Sequence, residues 1–192
     1  MAGRAYTIFD TAIGRCAVAW SEGGIAGVQL PETREIDTRR RLFHFYPEAR
    51  ESKPPPNSEA AIEGVVALLR GQAVDFSNIM LDMRGMRGFD QRVYQITQRI
   101  LRGETLTYGD VAARLGSPSA VRSVALALSR NPFVIIVPCH RVLEAGGYAD
   151  RMSPHAGLIS KRRLLSIEGA VSSKSKTLLD VLLPVAPPRP PH

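Results

Sequence analysis

The sequence is short of cysteine, of long apolar runs and of histidine in metal-ligand spacing, and each shortage removes a class of protein. Only two cysteines occur, Cys16 and Cys139. Neither belongs to a CxxC pair, so no disulfide framework is expected, and a bridge between the two would be disfavoured in a reducing compartment. The four histidines (His44, His140, His155 and His192) show no zinc-ligand spacing. No stretch approaches eighteen consecutive apolar residues, so no membrane span is expected. The opening residues, from Met1 to Tyr6, lack the apolar stretch of a secretory signal. A cytoplasmic protein that needs no metal or other cofactor is the expectation. What is present suffices for a core: 44% of 192 residues are hydrophobic, enough for one domain or two small ones.

Charge is unevenly placed. Residues 1–80 carry nine Lys/Arg against ten Asp/Glu, whereas residues 101–165 carry nine basic side chains against only Glu104, Asp110, Glu144 and Asp150. Positive charge gathered on the second half suits a polyanion, because phosphates attract clustered Lys/Arg and release counterions on binding. A merely solubilising basic surface is the other reading.

Tyr6–Asp10, Cys16–Trp20 and Ile25–Leu30 read as three strands, joined by Thr11-Ala12-Ile13-Gly14 and Gly23-Gly24 turns. Charged residues 33–48 read as a helix. A second helix spans Glu59–Leu69, with Asn57 or Ser58 as its cap, and a strand follows at Ile79–Met83. From Phe89 the apolar period becomes helical: Phe89, Val93, Ile96, Ile100 and Leu101 share a face. Gly109–Leu115, a Gly116-Ser117-Pro118-Ser119 turn and Ala120–Arg130 then form helix, turn, helix. The last helix is rich in small residues (Ala120, Ser123, Ala125, Ala127, Ser129), which permits close backbone approach, and Arg122 stands out from it. The division expected is 1–84, 85–170 and a Pro-rich, disordered tail over 171–192.

Phe133–Val137 reads as a buried strand that ends in Pro138-Cys139-His140-Arg141-Val142. A thiolate is the nucleophile in cysteine chemistry, and a neighbouring imidazole can take its proton. Taken alone, the Cys139-His140 pair favours a buried structural cysteine. Cys16, in a strand, reads as structural, and His44, His155 and His192 read as surface positions.

The wider pattern changes that balance. Pro138-Cys139-His140-Arg141-Val142 resembles the active-site signature of the 6-O-alkylguanine–DNA alkyltransferase family (methylated-DNA–protein-cysteine methyltransferases). Thr107-Tyr108-Gly109, Gly116, Pro118, Ala120, Arg122, Asn131-Pro132, Gly146-Gly147, Ser153, Gly157, Lys161, Leu164-Leu165 and Glu168-Gly169 keep that family's spacing. Thr11-Ala12-Ile13-Gly14 and Leu30-Pro31 also have counterparts, so the match covers residues 6–170.

The resemblance implies an α/β N-terminal domain with a ribonuclease H-like sheet, and a mainly α, winged helix-turn-helix domain carrying Cys139. It implies irreversible transfer of a methyl or larger alkyl group from the 6-oxygen of guanine, with the 4-oxygen of thymine as a second target, onto Cys139. The site residues implied are Cys139 as nucleophile, His140 as base acting through water, Glu168 as the acid orienting His140, and Asn131 as support. Tyr108, Arg122, Ser123, Val142 and Ser153 are implied as DNA- or base-contacting residues. By the same resemblance, Arg122 is expected to fill the gap left by the flipped nucleotide and Tyr108 to assist departing guanine. The implied partner is double-stranded DNA, held through its minor groove by a monomer. Three departures stand out: Asp150-Arg151 in place of flexible glycines, Met152 in place of an aromatic, and Ala156 in place of glycine. Tyr94 stands where tryptophan is common. The alternatives are an alkyltransferase-like protein that binds damage without transfer, and a Cys-His hydrolase. Cys139 with His140 and Glu168 argues against the first, and the second leaves Arg122 and Tyr108 without roles.

Overall fold

The computed structural model describes residues 4–145, 152–157, 159 and 161–169. The Gly146-Gly147 and Asp150-Arg151 pairs, His192 and the 171–192 tail lie outside the described residues.

The chain opens with β1 (Ala5–Thr11), β2 (Gly14–Ser21) and β3 (Gly24–Gln29), an antiparallel meander. After α1 (Glu35–Phe45), the two-residue β4 (Arg50–Glu51) pairs parallel to β1, giving the order β3-β2-β1-β4. β4 was not legible, because both its residues are exposed and polar. The β2 sequence explains how both sheet faces are covered. Cys16, Val18 and Trp20 point to one face and join the main core with Ala61, Val65 and Leu68 of α2 (Pro56–Leu69). Ala17 and Ala19 alternate onto the other face, where they pack with Leu42 and Tyr46. Gly27 is required beneath Tyr46: a Cβ there would lie 2.1 Å from the hydroxyl that donates to the Ala26 carbonyl.

Two expected features of this half take another form. Helix α2 begins at Pro56 with no side-chain cap, and Asn57 instead exchanges two hydrogen bonds with the Met80 backbone. The segment Ile79–Met83 is not a strand; it makes one bridge, Ile25 to Leu81, with Ile25 N donating to Met80 O and Asp82 N to Ile25 O. The Asp82 carboxylate accepts from Ser21 and Arg84 in the same stretch.

The second half packs α3 (Gly88–Gln98), α4 (Tyr108–Arg114) and α5 (Val121–Ser129) against one another. A capping box starts α4: Thr107 Oγ1 accepts from Asp110 N while the Asp110 carboxylate accepts from Thr107 N. Gly116, with φ of 71°, ends it; Gly116 N donates to Ala113 O and Ser117 N to Ala112 O. Small strands β5 (Leu106–Thr107) and β6 (Val142–Leu143) pair in parallel and tie the start of α4 to the cysteine segment. A last helix, α6 (Lys161–Ile167), backs the cysteine turn. Tyr94 is buried on α3, with its hydroxyl donating to Ala127 O and its ring edge-on to Phe133.

Phe133–Val137 is not the expected strand but a loop folded on itself. Asn131 Nδ2 donates to Val137 O, Phe133 N donates to Asn131 Oδ1, and Val137 N donates to Phe133 O at 2.8 Å. Ile135 takes a φ of 77°, a conformation that β-branched residues rarely adopt. The loop runs along the outer edge of β3, where Val28 N donates to Pro132 O and Leu30 N to His155 O. One apolar cluster therefore contains both Trp20 and Val65 of the first half and Val93, Val124 and Cys139 of the second.

Candidate active site

Every residue from Asn131 to Val142 is buried. Cys139 opens a short 3-10 turn (Cys139–Arg141), with its amide donating to Val137 O. The side chain reaches the wall of a cleft of about 830 Å3, shared with Tyr108, Arg122, Ala125, Met152, Ser153 and Lys161. Burial pushes the Cys139 thiol pKa up, against a smaller lowering by Asn131 and by the charge of Lys161. A thiol so placed needs a base to become a nucleophile.

His140, completely buried, supplies that base. Its Nε2 lies 2.9 Å from Glu168 Oε1. Burial works against the Glu168 carboxylate, but bonds from His140 and Arg141 outweigh it and hold the pKa at about 2. A carboxylate can only accept, so Nε2 carries the proton and donates. That leaves the lone pair on Nδ1, which has no hydrogen-bond partner among the described residues. Desolvation lowers the His140 pKa despite Glu168, which favours the neutral ring with its Nδ1 lone pair free.

Arg141, part of the Pro138–Val142 signature but given no role of its own from the sequence, completes this arrangement. Its Nε and Nη2 grip both Glu168 oxygens at 3.0 and 2.7 Å, and Nη1 donates to Ile100 O at 2.5 Å. The planar fork fixes the carboxylate that in turn fixes the imidazole.

Lys161 is the other unexpected participant. It is 2% exposed, donates from Nζ to Tyr108 Oη at 2.7 Å and to Val142 O at 2.8 Å, and sits 5.0 Å from the Tyr108 ring centre. Because the ammonium occupies an oxygen lone pair, the phenolic hydrogen is left to donate elsewhere. The signal existed: Lys161, Leu164, Leu165 and Glu168 recur at helical spacing and are all buried, so charge at both ends of an apolar stripe marked an inward face. Burial of Arg141 and Lys161 also corrects the charge reading, since neither belongs to an external basic surface.

The remaining predicted positions divide. Arg122 is exposed on α5 at the cleft, beside the exposed apolar side chains of Val121 and Leu126. Ser123 is exposed but outside the cleft lining, and Val142 is buried behind it. Ser153 lines the cleft, yet its hydroxyl donates to Asn131 O at 2.5 Å. Asn131 braces the cysteine loop through both amide atoms. Cys16 is buried near Thr11, and desolvation raises its pKa to about 12, an inert structural thiol. His44 is exposed as expected, but His155 is 5% exposed and stacked on Phe45, because the 154–156 turn is pressed against α1. No group of three metal-ligating side chains occurs among the described residues.

Residues 88–170 match the family model of the 6-O-methylguanine DNA methyltransferase DNA-binding domain. The methylated-DNA–protein-cysteine methyltransferase of Methanothermobacter thermautotrophicus is 36% identical over 79% of this chain and 78% of its own length. That of Mycobacterium bovis is 32% identical over 91% of this chain and 98% of its own. The crystal structure of Mycobacterium tuberculosis OGT in complex with DNA superposes with a TM-score of 0.66 at 29% identity, covering 88% of this chain and 96% of that one. The relatives are matched along most of their length, Cys139 and its buried base lie inside the matched region, and the chain belongs to the methylated-DNA–protein-cysteine methyltransferase family.

Proposed function

We propose that the protein repairs DNA by moving a methyl or larger alkyl group from the 6-oxygen of guanine to Cys139, once per molecule. The carrying observation is a nucleophile on a cleft wall next to a neutral imidazole whose free Nδ1 is set by Glu168 and Arg141. His140 Nδ1 takes the thiol proton across one water. The Cys139 sulfur then attacks the alkyl carbon, forming S–C as the C–O bond breaks. Tyr108, its oxygen engaged by Lys161, donates a hydrogen bond or proton to the guanine oxygen as it leaves. The product is a thioether, which is stable to hydrolysis, so each molecule acts once.

An alkylated base inside a duplex cannot reach a cysteine at 2% exposure, so the nucleotide must rotate out. We read α4–turn–α5 as a helix-turn-helix laid in the minor groove, with Arg122 entering the stack and the β5–β6 ribbon in the place of a wing. The order β3-β2-β1-β4, with β4 parallel to β1, underlies the ribonuclease H-like reading of the first half. We take residues 1–84 as scaffold and 85–170 as the half that carries the chemistry. The expected setting is the cytoplasm, alongside chromosomal DNA.

The test is mass spectrometry of the protein after incubation with a duplex carrying one methylated guanine. A gain of one methyl group on Cys139, absent in Cys139→Ala, is expected. Bound duplex with unchanged protein mass would sink transfer and leave damage recognition alone.

A further inference from the structure

One buried titratable side chain takes no part in the transfer: His155. Its ring stacks on Phe45 of α1 with centroids 4.0 Å apart and planes at 28°. Its Nδ1 has no hydrogen-bond partner among the described residues. An imidazole left with a buried, unpartnered nitrogen is a costly way to fill apolar space, so its planar stacking face is the property retained.

The turn around it is strapped to the first half of the chain at every step. Leu30 N donates to His155 O at 2.8 Å. Arg41, which pairs with Glu32, donates from Nη1 to Pro154 O at 3.3 Å. Gly157 takes a φ of 59° and lies so close to β3's exit that a Cβ would stand 2.5 Å from Pro31 O. Ser153, at the near end of the turn, is bonded to Asn131 O of the cysteine loop. Met152 and Ser153 line the cleft, whereas every lining residue falls between Thr107 and Lys161. Among the described residues, no side chain of the first half lines the cleft, and this turn is one of the places where that half backs the cleft wall.

We propose that His155 is a positioning residue: its stack on Phe45 fixes the 153–157 turn and, through it, the Met152–Ser153 part of the wall against which the flipped base must rest. The α/β half then shapes the cleft from outside without contributing a side chain to it. This inference rests on the alkyl-transfer reading, and the test keeps the two apart.

Single-turnover methyl transfer from a duplex bearing methylated guanine is measured over rising duplex concentration for the wild type, His155→Ala, His155→Phe and Phe45→Leu. Peptide-mapped alkylation of Cys139 by iodoacetamide, which needs no base-shaped wall, is measured in parallel. His155→Ala is expected to lower the saturating transfer rate by about tenfold or more, since small misplacement of reacting groups is costly. The half-saturating duplex concentration and the iodoacetamide rate stay within about twofold of wild type, because α5 and the base are untouched. His155→Phe restores most of the rate by restoring the stack. Phe45→Leu reproduces the loss from the other side of the contact and serves alone if His155→Ala does not fold. Wild-type transfer rates in His155→Ala and Phe45→Leu overturn the inference, as does an equal loss with iodoacetamide. A wild type that gains no methyl group overturns the functional reading instead.

Discussion

At the scale of the residue, two histidines are buried and kept neutral for different ends. His140 is neutral so that Nδ1 can accept a proton, and the bonds from Glu168 and Arg141 choose which nitrogen is free. His155 is neutral because burial, with Arg41 nearby, lowers its pKa to about 4. Its folded pKa lies below the unfolded value of 6.5, so the unfolded chain binds the extra proton first. Stability from this group is complete above pH 6.5 and falls away as pH drops toward 4. At pH 5 the loss is about 2 kcal/mol relative to neutral pH. His155→Phe is therefore expected to show a smaller fall in unfolding free energy from pH 7 to pH 5 than the wild type. Parallel falls in urea titrations at the two pH values would contradict it. Glu168 works in a lower window: depressed from 4.5 to about 2, its contribution is lost only as pH falls between those values. That separation lets the His155 effect be read without disturbing the ion pairs of the site. His140 and Glu168 were identifiable from the family pattern. Arg141 and Lys161 were not assigned their roles, because charged side chains in a basic half read as surface until burial is known.

At the scale of the element, α4 and α5 were legible almost to the residue, since a glycine stop and an apolar period are local signals. The cysteine loop was not. Five consecutive apolar residues read equally as a buried strand or as any other buried segment. Only the Asn131 amide, bonding at both ends of the run, turns it into a folded-back loop with Ile135 at positive φ. That loop matters because Cys139 follows it directly and inherits its rigidity. On α5, Arg122 is exposed while Val124, Ala127 and Leu128 are buried, so its removal does not disturb the core. Arg122→Ala is expected to slow transfer from duplex DNA far more than transfer from the free methylated base. The comparison is made by single-turnover kinetics on both substrates. Equal losses would rule out a part in extruding the nucleotide.

At the scale of the whole molecule, the two halves share one apolar core and one sheet edge. The cysteine loop bonds to the outer edge of β3 at Val28 and the His155 turn bonds to Leu30 just beyond it, beside the bonds that Met80 and Asp82 make to Ile25. Unfolding in urea is expected to be a single transition. The sole tryptophan, Trp20, is buried in the sheet-side core, and transfer activity reports the Cys139 side. The two signals should lose amplitude at the same urea concentration. Activity lost well before Trp20 fluorescence changes would show that the halves unfold separately.

What the sequence by itself determined is the chemistry that is contiguous or periodic: the Pro138–Val142 motif, the helix-turn-helix signals, the meander of three strands and the family these place the chain in. Local propensity and motif spacing encode those features, and they do not depend on which distant segment packs alongside. Tertiary structure alone decided which nitrogen of His140 is free, that Arg141 and Lys161 point inward, and that His155 bridges α1 to the cleft wall. Those outcomes rest on contacts between residues as far apart as Phe45 and His155 or Tyr108 and Lys161. Their physical cause is burial: removal from water makes partner choice costly to get wrong, and only the packed chain supplies the partners.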